Sequence, residues 1–132
     1  MALFPESANT KNLSIEGIAS RLSSFYEQIH LIHWQTTSIA EHQALGSLYD
    51  KLIDYKDDII EKLMGYTGQR PKAFIVTSPK DGADSRSTVN EIVVFAKQLE
   101  EWAEEKEYCD IENIAQSLSG DAAKILYLLT LS

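Results

Sequence analysis

Apolar residues recur every three or four positions along most of the chain, which is the spacing that gathers them on one face of an α-helix. Four such stripes predict four helices, the first from about residue 12 to residue 37 and the second from Ser38 to Gly65. The third helix is expected to begin near Asp84 and the fourth at Asp110. One-sided stripes bury against one another, so these helices are expected to form a bundle. The positions expected in its core are Leu13, Ile15, Ile18, Leu22, Phe25, Ile29, Ile32, Leu45, Leu48, Leu52, Ile59, Leu63, Val89, Ile92, Ala96, Leu99, Ala103, Ile111, Ile114, Leu118, Ala122, Ile125 and Leu129.

Signals at the ends of the second helix define a tight hairpin with the first. Ser38 followed by Glu41 has the spacing of a capping box, which starts the second helix directly after the first one ends. Gly68 and Pro71 forbid continuation, because glycine favours a left-handed cap and proline removes a backbone donor. The first two helices are therefore expected to lie antiparallel.

The second half of the chain is expected to form another hairpin. Thr88 and Glu91 form a further capping box at the start of the third helix, and Asp110 is expected to cap the fourth. Between the hairpins, residues 66–84 contain two of the three prolines, and Phe74–Val76 indicates a crossover with a hydrophobic anchor. Two hairpins joined by one long crossover are typical of an all-α, ferritin-like four-helix bundle.

Composition narrows the domain organisation and the class of function. The 132 residues predict one domain over 1–132, with a short N-terminal tail at 1–11, and no apolar run approaches the roughly 20 residues of a membrane span. The net charge of -8 and the scattered basic residues disfavour direct DNA binding, since Lys11 is the one cation before the first helix. No leader opens the chain and Cys109 has no second cysteine, so a cytoplasmic location is expected.

The three histidines of the chain all fall around the first hairpin. His33 and His42 each lie about four residues from the turn, so they are expected at the same height on adjacent helices, as two imidazole ligands would be. His30 lies beside the core stripe and is interpreted as a packing residue. The structural alternative for all three is hydrogen-bonded packing without a ligand.

Two carboxylates on the second helix complement the histidines. Asp57 and Glu61 are spaced i and i+4, which places them on one face. Two imidazoles with two carboxylates suit iron, or zinc or manganese in its place. Asp57 is about 22 Å beyond His42 at 1.5 Å per residue, so one subunit cannot close the site. A two-fold partner in antiparallel register would bring the histidines of one chain beside the carboxylates of the other.

The motifs that carry these residues resemble the Dps family, the miniature ferritins known as DNA-binding proteins from starved cells. The matching stretches are His30-Leu-Ile-His33-Trp34, Glu41-His42-Gln-Ala-Leu, Leu48-Tyr49-Asp50, Asp57-Asp58-Ile-Ile-Glu61-Lys62-Leu, and Gly65 to Pro71. The resemblance implies a homodimer that assembles into a cage of twelve subunits. It implies that ferrous iron is oxidised between subunits, often by hydrogen peroxide, and is stored as a ferric mineral, which would give iron storage and peroxide detoxification.

The resemblance also assigns roles to single residues. His33 and His42 match the histidine ligands on one side of the interface, Asp57 and Glu61 match the carboxylates on the other, and Trp34 matches the tryptophan that takes up stray oxidising equivalents. Gly46 departs from the pattern, because the family has an acidic ligand there, and the hairpin is three residues shorter than usual. Two hypotheses therefore stand: a working ferroxidase, or a degenerate ferritin-like bundle that serves as an assembly or interaction protein.

Overall fold

The computed structural model describes residues 13–132, and four α-helices account for most of them. They are α1 (Ile15–Gln35), α2 (Ile39–Thr67), α3 (Ser85–Glu105) and α4 (Cys109–Leu129). Since the described part of the chain contains helices and no strand, the predicted all-α fold with four helices is confirmed. The predicted tail at residues 1–11 lies outside the described residues. Within 13–132, no helix is both long enough and apolar enough to span a bilayer.

The ends of α1 and α2 follow from local hydrogen bonding. The hydroxyl of Ser14 accepts a bond from the Gly17 amide at 3.0 Å and caps α1. The predicted cap of α2 is confirmed, because the Ser38 hydroxyl accepts from the Glu41 amide at 3.2 Å. Gly68 ends α2 with a φ of 70°, a left-handed conformation that glycine adopts without strain. The helix therefore runs two residues beyond the predicted end at Gly65.

Two predicted caps in the second half of the chain are wrong. Asp84 caps α3 by accepting from the Ser87 amide at 2.9 Å, so Thr88 and Glu91 lie inside the helix rather than at its start. The α4 helix begins at Cys109, one residue before Asp110. Asp110 therefore lies in the first turn, where a negative charge still favours the helix end although it does not cap it.

The stripes pack into one core. Every predicted core position is buried except Leu13, Ile15 and Ile114, which are half-buried. Phe25 and Phe95 meet near its centre, with their ring centroids 5.8 Å apart. The Arg21 guanidinium lies over both rings, at 5.2 and 5.0 Å, which places one charged group beside the aromatic centre of the core.

Contacts at one end of the bundle fix the direction of the helices. The Ser85 hydroxyl lies 3.1 Å from a carboxylate oxygen of Glu41, so α3 starts beside the start of α2. Arg86 donates to the carbonyl of Leu129 at 3.2 Å, so α4 finishes at that same end. The α2 and α3 helices therefore run in one direction and α1 and α4 in the other. Residues 69–84 connect the far end of α2 to the near end of α3.

This crossover is fastened to α1 by polar side chains. The Gln28 amide bonds both the N–H and the carbonyl of Lys80, at 2.9 and 3.0 Å. Ser24 accepts from the Thr77 amide at 2.9 Å. The expected hydrophobic anchor is wrong, because Phe74–Val76 is 39 to 81% exposed. The segment turns its backbone towards α1, so these apolar side chains point away from the core.

Candidate functional site

The imidazoles of His33 and His42 lie against each other across the first hairpin. The Nδ1 atom of His33 is 2.6 Å from the carbonyl oxygen of His42, and Nδ1 of His42 is 2.8 Å from the carbonyl oxygen of His33. The rings are stacked with their centroids 3.8 Å apart and an interplanar angle of 14°. A carbonyl oxygen can only accept, so each Nδ1 carries a proton, and in the neutral imidazole the lone pair is then on Nε2. The predicted proximity of these two residues is confirmed.

The hairpin itself explains this arrangement. The C-cap bond of α1 runs from the Thr36 amide to the Ile32 carbonyl, which leaves the carbonyl of His33 beyond the helical ladder. His42 supplies the missing donor to that carbonyl, and His33 returns a bond to the first turns of α2. The two side chains therefore join the end of α1 to the start of α2, a stabilising role that needs no ligand. We call this arrangement the histidine pair.

Gly46 makes room for the histidine pair. A β-carbon at this position would lie 2.9 Å from Cε1 and 3.3 Å from Nδ1 of the His33 ring. Such contacts are closer than carbon atoms tolerate, so a side chain at residue 46 and the observed position of the ring exclude each other. The sequence shows glycine where the Dps resemblance leads one to expect a carboxylate, and the structure shows that the imidazole of His33 occupies the space beside Gly46.

His30 belongs to a neighbouring aromatic cluster formed by Tyr26, His30, Trp34 and Tyr49. Its ring lies 3.8 Å from the Trp34 ring and stacks on Tyr49 at 4.4 Å between centroids. Tyr49 in turn meets Tyr26 edge-on at 5.7 Å. The interpretation of His30 as a packing residue is therefore consistent with its contacts. Trp34, assigned a redox role by resemblance, is 66% exposed and contacts His30, whose ring centroid lies 6.2 Å from that of His33.

Asp57 and Glu61 lie on the exposed side of α2, one turn apart. The pKa of Glu61 is raised, first by a hydrogen bond with Asp57 and then by the negative charge of that residue. Lys62 pairs with Asp58 at 2.5 Å. Neither this ion pair nor the one between Lys51 and Asp121 includes Asp57 or Glu61. The carboxylate pair therefore lies on one face, as its spacing predicted, and the positive charge of Lys62 opposes part of the rise in the Glu61 pKa.

The two halves of the predicted site lie apart in a single subunit. The α2 helix is continuous from Ile39 to Thr67, and its rise places Asp57 about 22 Å from His42. Within residues 13–132, no three of the His, Cys, Asp and Glu side chains converge closely enough to hold a metal ion. The predicted nitrogen half-site, His33 and His42, thus lies near one end of α2, and the predicted carboxylate half-site, Asp57 and Glu61, lies towards the other.

Sequence reasoning missed an open cleft between α2 and α4. It has a volume of about 410 Å³ and is lined by Lys51, Asp54, Tyr55, Asp58 and Asp121. The Tyr55 hydroxyl donates to Asp121, and burial together with this acceptor raises the pKa of Tyr55. The local sequence pattern does not predict this cleft, because Tyr55 and Asp121 are far apart in the chain and the packing of α2 against α4 brings them together.

Comparison with known proteins places the chain in one family. The model of DUF5856, described as a family of unknown function, matches residues 33–129. The chain therefore belongs to this family, and the matched residues include His33, His42, Asp57 and Glu61. No curated protein matches the chain.

Proposed function

We propose that this member of DUF5856 is a Dps-like, ferritin-like subunit that binds ferrous iron between two copies of the chain and oxidises it. The observation that carries the proposal is the pair of complementary half-sites. In their neutral form, the imidazoles of His33 and His42 offer Nε2 as a lone-pair donor, while Asp57 and Glu61 supply exposed carboxylate oxygens on one face of α2. Neutral imidazole nitrogens combined with carboxylate oxygens suit first-row divalent metals, including iron.

A two-fold dimer would combine these half-sites. In an antiparallel arrangement, the histidine pair of one subunit would meet Asp57 and Glu61 of the other, and symmetry would generate two equivalent sites. The mutual bonds at Nδ1 support the nitrogen half, because a ligating histidine is commonly oriented through its other ring nitrogen. Binding also requires the two stacked rings to turn their Nε2 atoms towards a common ion.

In the proposed reaction, ferrous iron is the substrate and hydrogen peroxide the oxidant. Two ferrous ions each give up one electron, the O–O bond of peroxide breaks, and its two oxygen atoms take up two protons to leave as water. The protein binds the ferrous ion, and the carboxylates offset the additional positive charge of the ferric product. Electrons and atoms balance without any further reductant.

The course of the chain supports the assembly part of the proposal. The α2 and α3 helices run in the same direction and are joined by a crossover that spans the bundle, which is the connectivity typical of ferritin-like folds. We therefore extend the proposal to a twelve-subunit cage that stores the ferric product. The acidic chain, with a net charge of -8, suits an iron-attracting shell better than a DNA-binding surface.

Anaerobic loading followed by peroxide tests the reaction. Apoprotein receives ferrous iron, then hydrogen peroxide, while ferric absorbance and particle mass are recorded. We expect oxidation faster than that of free iron in the wild type and its loss in Asp57→Asn/Glu61→Gln, whose exposed positions leave the histidine pair intact. Glu101→Gln/Glu104→Gln, two exposed carboxylates on α3, is the matched control and should retain the rate. Oxidation no faster than free iron would contradict the proposal.

A second function is favoured by the contact between Gly46 and His33. Because the histidine pair satisfies the end of α1 and fills the place of the missing carboxylate, the bundle has a structural use for these residues without metal. The alternative is a degenerate ferritin-like bundle that acts as an assembly or interaction protein. Titration with ferrous iron, zinc and manganese under anaerobic conditions separates the two, since the alternative predicts no binding that depends on Asp57 and Glu61.

A further inference from the structure

The crossover contains a basic stretch on an otherwise acidic protein. Residues 69–80, here called the basic segment, include Arg70, Lys72 and Lys80 and no carboxylate, whereas the whole chain carries a net charge of -8. All three cations lie at exposed positions. The segment therefore carries three exposed cations along one side of α1, where the Glu16 carboxylate accepts from the Lys72 amide at 2.9 Å, and its excess positive charge would attract an acidic surface.

The basic segment also holds apolar side chains in solvent. Phe74 is 39% exposed, Ile75 81% and Val76 42%. The Ser20 hydroxyl donates to the carbonyl of Ile75, and the Ser24 hydroxyl accepts from the Thr77 amide, so the backbone is fixed from the inner side. When the backbone is already fixed, less conformational entropy is lost on binding. Exposed apolar side chains on such a backbone are therefore suited to a protein interface.

Pairing between two basic segments is disfavoured by charge. An antiparallel pair centred on Ile75 would place Arg70 opposite Lys80 on both sides of the centre. Like charges directly opposite each other destabilise such a pair. The partner surface must therefore be acidic, with an apolar element to cover Phe74–Val76.

A patch on α2 has this composition. Ile53 is 43% exposed, and Asp50, Asp54 and Asp57, which lie three residues before it and one and four residues after it on α2, are all at exposed positions. Within the described residues, no ion pair includes any of these three aspartates. We call this set the Ile53 patch. It matches the basic segment in both charge and apolar character.

The register of α1 and α2 places these two surfaces at similar heights. His33 stacks on His42, and Tyr26 contacts Tyr49, so one step along α1 corresponds to one step back along α2. By this register Ser20, which bonds to Ile75, lies about level with the Ile53 patch. An antiparallel partner that brings Asp57 and Glu61 to the histidine pair has its midpoint near the same level.

We propose that the basic segment of one subunit contacts the Ile53 patch of a second copy of this chain and holds the dimer together without metal. This inference rests on the proposed function in one respect, which is that it uses the same two-fold arrangement. It differs in its chemistry, because cationic and apolar contacts replace metal ligation. The contact is therefore expected to persist in the presence of a chelator and to weaken as salt screens the charges.

Sedimentation velocity of the metal-free full-length chain in EDTA tests this interface. We expect Arg70→Glu/Lys72→Glu/Lys80→Glu to raise the dimer dissociation constant at least about tenfold through charge repulsion. Lys97→Glu/Lys106→Glu/Lys124→Glu changes the net charge equally at exposed positions elsewhere and should stay within about threefold of the wild type. Adding Asp50→Lys/Asp54→Lys to the first variant should restore dimerisation by recreating opposite charges.

The outcomes separate this interface from the iron chemistry. A monomeric wild type in EDTA, equal effects of the two charge reversals, or no restoration by the aspartate changes would overturn the interface. Oxidation of ferrous iron measured on the same samples reports on the proposed function independently. A salt-sensitive dimer that does not oxidise iron would support the interface and contradict the ferroxidase proposal. Iron oxidation by a protein whose dimer does not depend on the basic segment would contradict the interface alone.

Discussion

Gly46 lies directly beneath the imidazole of His33, so close that a β-carbon would be 2.9 Å from Cε1 of the ring. The residue that departs from the Dps pattern is therefore the one that allows His33 to reach the carbonyl of His42. Because a side chain at position 46 and the observed His33 ring compete for the same space, position 46 is the most direct place to test the local geometry.

Replacing Gly46 with alanine should destabilise the protein although alanine is the better helix former. The helix propensity gain is about 1 kcal/mol, and we expect the clash with His33 to cost about 1–3 kcal/mol more than this gain. Gly65→Ala, on the same helix with nothing within 4 Å of the new β-carbon, is the control and should be neutral or stabilising. Urea unfolding of both variants gives the comparison; equal free energies would show that His33 moves aside at no cost.

Restoring the expected carboxylate through Gly46→Glu should not restore a metal site. The side chain would displace the His33 ring, so the bond from His33 Nδ1 to the His42 carbonyl would be lost. We expect zinc affinity to fall or stay unchanged, as measured by calorimetry on the apoprotein. Tighter binding in this variant than in the wild type would mean that the ring has a second position compatible with a carboxylate.

The sequence predicted the helices well and their ends less well. Buried faces are recorded in local periodicity, so Ile18, Leu22 and Phe25 were identified without any knowledge of their partners. Ser38 was also predictable, because its cap needs only residues three positions away. The role of Asp110 was not predictable. An aspartate before an apolar stripe can be the cap, as Asp84 is for α3, or a first-turn residue, as Asp110 is in α4, and the sequence alone does not distinguish the two.

Part of the candidate site was also predictable, because it depends on residue spacing within helices. Proximity of His33 and His42 follows from their equal distance to one turn, and the sharing of a face by Asp57 and Glu61 follows from helical spacing. The contact between Gly46 and His33 depends on a side-chain orientation that spacing does not define. The outward position of Phe74–Val76 depends on polar side chains of α1 that sequence separates from it by about fifty residues.

The carboxylate pair should titrate as a coupled unit. Asp57 raises the pKa of Glu61 by hydrogen bonding and charge. An acid with a raised pKa in the folded state favours folding when protonated, so its contribution is present at low pH and is lost as pH rises through that pKa. We expect Asp57→Asn to lower the pKa of Glu61 towards its ordinary value in carboxyl-carbon NMR titrations. Asp54→Asn, on the neighbouring turn, should leave it unchanged.

The attachment of the crossover should depend on one buried amide. Gln28→Leu removes both bonds to the Lys80 backbone, and we expect a loss of about 1–3 kcal/mol in the free energy of unfolding. Hydrogen exchange at the Lys80 and Thr77 amides should accelerate together with this loss. Gln35→Leu, an exposed residue bonded to Asp81, is the control and should change stability by no more than about 0.5 kcal/mol. Equal effects of the two variants would contradict the role given to Gln28.

The most direct test of the central claim is complementation between two inactive variants. His33→Ala/His42→Ala lacks the nitrogen half-site, and Asp57→Asn/Glu61→Gln lacks the carboxylate half-site. If the site forms between subunits, a dimer containing one of each retains one intact site, so random 1:1 reassembly should recover about a quarter of wild-type ferrous oxidation by peroxide. Each variant alone should be inactive. A mixture as inactive as its components, alongside an active wild type, would contradict a site shared between two chains.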